Sequence, residues 1–229
     1  MTDAVAVIAA HPDDEVLGCG GTIARMAKEG RAVHLLLMAD GESSRSGGGA
    51  ANIDPARLAM RNDAAERACK ILGCASVQCL GLPDNRLDSV DLLDVVKLIE
   101  QFIDKYKPLT IFTHHAGDVN IDHQIVHDAV IAACRPQPGF FVRELFFFEV
   151  PSSTEWRPPG SSEAFNPNWY CDITETLAAK MEALQAYSSE LRAFPHSRSA
   201  RAIEALACWR GASVGFEAAE AFVLGRKII

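Results

Sequence analysis

The sequence predicts an α/β fold, a mainly parallel sheet flanked by helices in the Rossmann-like manner. Short apolar runs alternate with helical periodicity up to Val150, and two of those runs end in clusters of histidine and acid, where open α/β sheets place their ligands. The 229 residues, 48% of them hydrophobic, are enough for one sizeable core. One domain over 1–229 is the simplest count.

The first strand is Ala4-Val5-Ala6-Val7-Ile8-Ala9, and a helical pattern follows from Val16 to Glu29. Val33-His34-Leu35-Leu36 is the second strand, then a helix from Pro55 to Leu72, a strand from Ser76 to Leu80 and a helix from Leu92 to Tyr106. Leu109-Thr110-Ile111-Phe112 leads to a helix from Asp122 to Cys134, and Leu145 to Val150 is one more strand. Pro151 to Asn168, with Pro158-Pro159-Gly160 and several serines, is loop chemistry. Helices resume at Ile173 to Leu191 and Arg198 to Trp209.

The most informative peptide is His11-Pro12-Asp13-Asp14-Glu15, at the end of the first strand. His11 and Asp14, three apart across a proline-stiffened turn, can close on one Zn²⁺ and leave Asp13 free to act as a base on water. A catalytic zinc takes three protein ligands. One histidine from the second cluster, Thr113-His114-His115 through Asp122-His123, completes the set. His127, four residues after His123, would share its helix face and is the alternative third ligand. His34 is read as a strand residue. Gly18-Cys19-Gly20-Gly21, with Asp40 ending the second strand, imitates a dinucleotide fingerprint, but residue 23 is Ile and a pyrophosphate would meet the acids of the preceding loop. These glycines instead let the first helix pack close to the sheet.

The chain resembles the LmbE-like, or PIG-L, zinc-dependent N-deacetylases. The resemblance rests on the strand followed by His11-Pro12-Asp13-Asp14-Glu15 and its glycine-rich turn, on Asp122-His123 at a helix start, and on the closing run from Arg210-Gly211 to Ala219-Glu220-Ala221-Phe222. It implies His11, Asp14 and His123 as zinc ligands, Asp13 as general base, and Asp122 as an orienting group for its neighbouring imidazole or the catalytic groups. Many members have His-Pro-Asp-His where this chain has Asn120-Ile121-Asp122-His123. An amide can donate to an oxyanion but cannot supply a proton, so His114, His115 and His196 are the available acids.

Two loops are expected to line the pocket. Gly41 to Gly49 follows the second strand, contains Arg45 and is glycine-rich enough for a lid. Pro83-Asp84-Asn85-Arg86 follows the third, and Asp84 is a candidate for a sugar hydroxyl. Arg61 resembles a family arginine beside the site. Trp156, with the hydroxyls and acid before it, suits packing on a sugar ring.

A formal charge of −8 and a pI near 5.4 argue against a nucleic-acid binder, which needs a basic face. The sequence carries no long apolar run for a membrane span and no secretory leader, and seven irregularly spaced cysteines do not form a disulfide framework. The expectation is therefore a cytoplasmic Zn²⁺ hydrolase, monomeric or a homo-oligomer, that deacetylates an amino sugar or its conjugate. A non-sugar N-acyl substrate is the nearest alternative, and a non-catalytic nucleotide-binding module is the alternative of another class.

Overall fold

A computed structural model of the chain describes residues 3–45 and 54–229. The alternating first part folds as β1 (Val5–Ala9), α1 (Asp14–Lys28), β2 (Val33–Ala39), α2 (Pro55–Leu72), β3 (Ser76–Leu82), α3 (Leu92–Tyr106), β4 (Thr110–His114), α4 (Ile121–Ala133) and β5 (Glu144–Phe148). A helix lies in each connection, so these five strands pair in parallel. Then come β6 (Trp169–Asp172), α5 (Leu177–Ala186), α6 (Ala200–Ala212) and β7 (Ala219–Lys227). The sheet order is β3-β2-β1-β4-β5-β7-β6, with β7 antiparallel to both its neighbours. The chain leaves β1 toward β2 and returns on its other side as β4. The crevice beyond the carboxyl ends of β1 and β4 is thus the switch point at which open sheets bind ligands.

Period-two geometry divides the core. Val5, Val7 and Ala9 of β1 face α1, α2 and α5, whereas Ala6, Ile8 and Ala10 face α3 and α4. Both faces are covered, which is why the central strands read as unbroken apolar runs. On α3, Val95, Val96, Ile99, Phe102 and Ile103 form the apolar stripe that meets the sheet. Helix α2 opens with Pro55 at its first position after Asp54, whose side chain accepts from Ala56 N at 2.9 Å, and stops at Gly73 with φ 77°.

The second half departs from the sequence reading. The helix expected over 173–191 is only α5, because Ile173–Thr176 and the residues after Tyr187 form turns. Strands β6 and β7 were not anticipated: they are separated by two helices, so no hairpin turn marks their pairing, and β6 is four residues long. Ser46, Gly47, Gly48 and Gly49 of the expected lid lie outside the described residues. No helix among the described residues is long and apolar enough to cross a membrane.

Helix α1 is broken at Cys19 (φ −146°, ψ 23°), and the break is capped from the far end of the chain. Glu220 of β7 accepts from Gly21 N at 3.0 Å and Thr22 N at 2.7 Å, and Lys180 Nζ donates to Glu220 at 2.6 Å and to the Leu17 carbonyl at 2.9 Å. Just before the break, Gly18 lies so close to β5 that a Cβ there would sit 2.3 Å from the Phe148 ring. Gly18→Ala is therefore expected to destabilise the fold by about 1–3 kcal/mol, the usual cost of overpacking, measured by denaturant unfolding. An unchanged midpoint would show that Phe148 yields without cost.

Candidate active site

Three donor atoms, two from the turn after β1 and one from the first turn of α4, meet in a nearly equilateral triangle. His11 Nδ1 lies 3.2 Å from Asp14 Oδ2, Asp14 Oδ2 lies 3.2 Å from His123 Nε2, and the two nitrogens are 3.3 Å apart. A tetrahedral ion with bonds of about 2.0–2.1 Å requires ligand atoms roughly 3.3 Å from one another. The donor set, two imidazoles and a carboxylate, is also that of catalytic zinc. The residues present therefore fit such an ion.

Each imidazole has its second nitrogen engaged by an acid, which fixes the ring and raises its basicity. His11 Nε2 lies 3.0 Å from Asp122 Oδ2 and 3.1 Å from Asp84 Oδ1, and Asp122 is held in turn by Asn85 N at 2.7 Å and Leu87 N at 2.9 Å. Asp122 thus serves His11 and not its sequence neighbour. The acid facing His123 Nδ1, at 3.0 Å, is Asp118, which accepts hydrogen bonds from Ser153 Oγ, Thr154 Oγ1 and Asn120 N. Burial works against the charged form of His123, but Asp14 and Asp118 outweigh it and push the imidazole up to about 9. Asp118 falls to about 2 and Asp84 to about 2, burial being overcome by their histidine partners. This pocket calls for positive charge, as a proton or a metal.

Asp13 differs from these acids. Its main chain is at φ 123°, a strained conformation for a non-glycine residue, and its side chain makes no capping bond to α1. Burial raises its carboxyl to about 6, although Arg198, whose Nη1 lies 3.2 Å from Asp13 Oδ2, opposes that shift. His11, Asp13, Asp14 and His123 line one cavity of about 110 Å³. Arg45, Arg61, Asp84 and Asn120 line it as well, with Asn85 and Arg198. Asn120 spends its oxygen capping α4, accepting from Asp122 N at 2.8 Å, and donates from Nδ2 to Asn85 Oδ1 at 3.0 Å. One amide N–H is left over.

The candidate histidine acids are placed elsewhere. His114 is fully buried and stacked on His123 with ring centres 3.9 Å apart, and its Nε2 accepts from Ala10 N at 2.8 Å. Burial holds it well below the usual imidazole range. His115 bonds the Glu163 carbonyl, and His196 Nδ1 accepts from Arg198 N at 3.0 Å. Trp156, 54% exposed, packs edge-on against His196. None of these four lines the cavity. His127 faces the His114 carbonyl at 2.8 Å and is not in the triangle, and His34 pairs with Ser76 Oγ. Sequence reasoning gave no role to Asp118 or Arg198. Asp118 stood inside the quoted second cluster, but nothing near Arg198 signals that it reaches Asp13 from 185 positions away.

A mainly parallel sheet that gathers imidazoles and carboxylates at its switch point is the framework of an α/β enzyme. The chain belongs to the PIG-L family: the family model described as GlcNAc-PI de-N-acetylase matches residues 6–134, more than half of its length. It is 29% identical over 191 residues to the uncharacterized deacetylase YaiS of Escherichia coli, covering 81% of this chain and 90% of that protein. It is 27% identical over 200 residues to the diacetylchitobiose deacetylase of Thermococcus kodakarensis, covering 81% and 69%. Among solved structures, the conserved protein TT1542 of Thermus thermophilus superposes with a TM-score of 0.76 at 26% identity, covering 100% of this chain and 97% of that one.

Because Asp118 faces the distal nitrogen of His123, Asp118→Ala is expected to weaken divalent-cation binding by roughly 10- to 100-fold, as loss of an outer-shell partner does. Competition against a chelating dye measures it. Binding within twofold of the parent would mean that His123 is held by other contacts.

Proposed function

We propose that this chain is a cytoplasmic zinc-dependent hydrolase that removes an N-acetyl group from an amino sugar or its conjugate. The observation that carries the reading is the His11–Asp14–His123 triangle, with its tetrahedral edge lengths and the Asp13 carboxylate in the same cavity. The sugar part is supported by the family description and by the relative named for diacetylchitobiose. Zinc held by the three ligands would polarise the acyl carbonyl and acidify water.

Asp13 takes the proton of the attacking water. A carboxyl raised to about 6 by burial holds that proton more readily than an ordinary aspartate, so it can return it to the leaving nitrogen. One residue then serves both steps, which fits a cavity lining whose histidines among the described residues are the two ligands. Asn120 offers its spare N–H to the acyl oxygen as it becomes an oxyanion. The products are a free amine and acetate. Asp84, Asn85 and Arg45 offer acceptors and donors to sugar hydroxyls around the rim.

The metal reading predicts about one zinc per chain in elemental analysis, and large losses in His11→Ala, Asp14→Ala and His123→Ala, each of which removes a direct bond. Full zinc in the His123→Ala protein would move the third ligand elsewhere. The base reading predicts that Asp13→Asn keeps its zinc while amine release from N-acetylglucosamine, diacetylchitobiose and N-acetyl thiol conjugates falls by roughly 10²- to 10⁴-fold. Parallel loss of zinc and activity would make Asp13 a ligand, and turnover confined to the thiol conjugates would remove the sugar assignment.

A further inference from the structure

The base proposed above is fixed at two points, and only one of them belongs to its own motif. Within the motif, Glu15 Oε2 accepts the Asp13 N–H at 3.0 Å, and Glu15 Oε1 accepts the Tyr187 hydroxyl at 2.6 Å. That bond steadies the strained main chain but leaves the carboxylate free to turn. The second point is Arg198, whose Nη1 donates to Asp13 Oδ2 at 3.2 Å, while Asp13 Oδ1 has no partner among the described residues. Arg198 is itself held, because its Nε donates to Ser152 Oγ at 2.9 Å.

Two further observations give this contact a purpose. The other arginines of the cavity are committed to different acids: Arg45 pairs with Glu190, and Arg61 with Glu42 and Glu190. Arg198 has Asp13 as its single ion-pair partner among the described residues. Ser152 also lies in the turn whose next residues, Ser153 and Thr154, hold Asp118 against His123. One short turn after β5 therefore braces both the base and a metal-type histidine.

We propose that Arg198, anchored by Ser152, is the positioning residue for Asp13. It occupies one carboxylate oxygen and aims the other into the cavity. Asp13 and Asp14 are adjacent in sequence and both buried, yet only Asp14 has its oxygen in the triangle. Asp13 Oδ2 faces the Arg198 guanidinium instead. The inference rests on the reading of Asp13 as the base.

The test is a double-mutant cycle on the sugar of the panel that is turned over fastest, with zinc affinity measured in parallel. Arg198→Met is expected to lower kcat by roughly 10- to 100-fold, to change KM less than about threefold and to leave zinc affinity intact, because it touches orientation of the base alone. In the Asp13→Asn background the same substitution should cost less than about twofold more, since the group it acts through is gone. Ser152→Ala removes one hydroxyl, tests the same idea if Arg198→Met does not fold, and should lower kcat in the same direction with no effect beyond that of Asp13→Asn. Additive losses, a rise in KM at constant kcat, or loss of zinc would each overturn the assignment. Wild-type turnover in Asp13→Asn itself would instead remove the base reading, and this inference with it.

Discussion

Burial of negative charge is the constraint around which this site is arranged. Asp13, Asp14, Asp84, Asp118 and Asp122 are each at most 3% exposed, and a carboxylate removed from water stays ionised only against donors or cations. Each acid meets a different solution. Asp122 has two backbone N–H groups, Asp118 two hydroxyls, Asp84 a serine hydroxyl and an imidazole, and Asp13 a guanidinium. Asp14 Oδ2 accepts from His11 N at 2.9 Å and has three histidine nitrogens within 3.6 Å, a setting that favours a positive charge beside it. Parallel pairing of β1 with β4 makes this concentration achievable, and the bond from Ala10 N to His114 Nε2 ties the two strand ends together.

How much of this was legible in the sequence follows from distance along the chain. His11, Asp13 and Asp14 could be read because they sit directly on a strand end, so local order and spatial position coincide. His123 could be read because α4 starts a short way past β4. The parallel part of the sheet was legible for the same reason, since each strand carries its apolar run and each connection its helix. Asp118 was visible as a residue but not as a partner, because Asp122 stands next to His123 in sequence and the helix turns its carboxylate away toward His11. Arg198, Ser152, Glu220 and the pairing of β6 with β7 depend on contacts between distant segments. No periodicity or spacing records such contacts.

The opposite wall of the cavity shows how charge also shapes what can enter. Arg45 makes a bidentate pair with Glu190 at 2.9 and 2.6 Å, and Arg61 lies 3.2 Å from both Glu42 and Glu190. These guanidinium groups are neutralised by the protein before any ligand arrives. An anionic group would have to displace a buried carboxylate to reach them, whereas a neutral hydroxyl would not. A polar, uncharged ligand is the one this wall admits at least cost.

Every atom of the donor triangle comes from the span of residues 6–134 that the family model recognises, whereas Ser152, Tyr187, Lys180, Arg198 and Glu220 all lie beyond it. The donor triangle and the residues that brace it are thus drawn from different parts of the chain. Changes beyond residue 134 reach the cavity through Arg198 and Ser152, which aim Asp13, whereas the donor triangle and the rim residues Arg45, Asp84 and Asn85 all stay within the matched span.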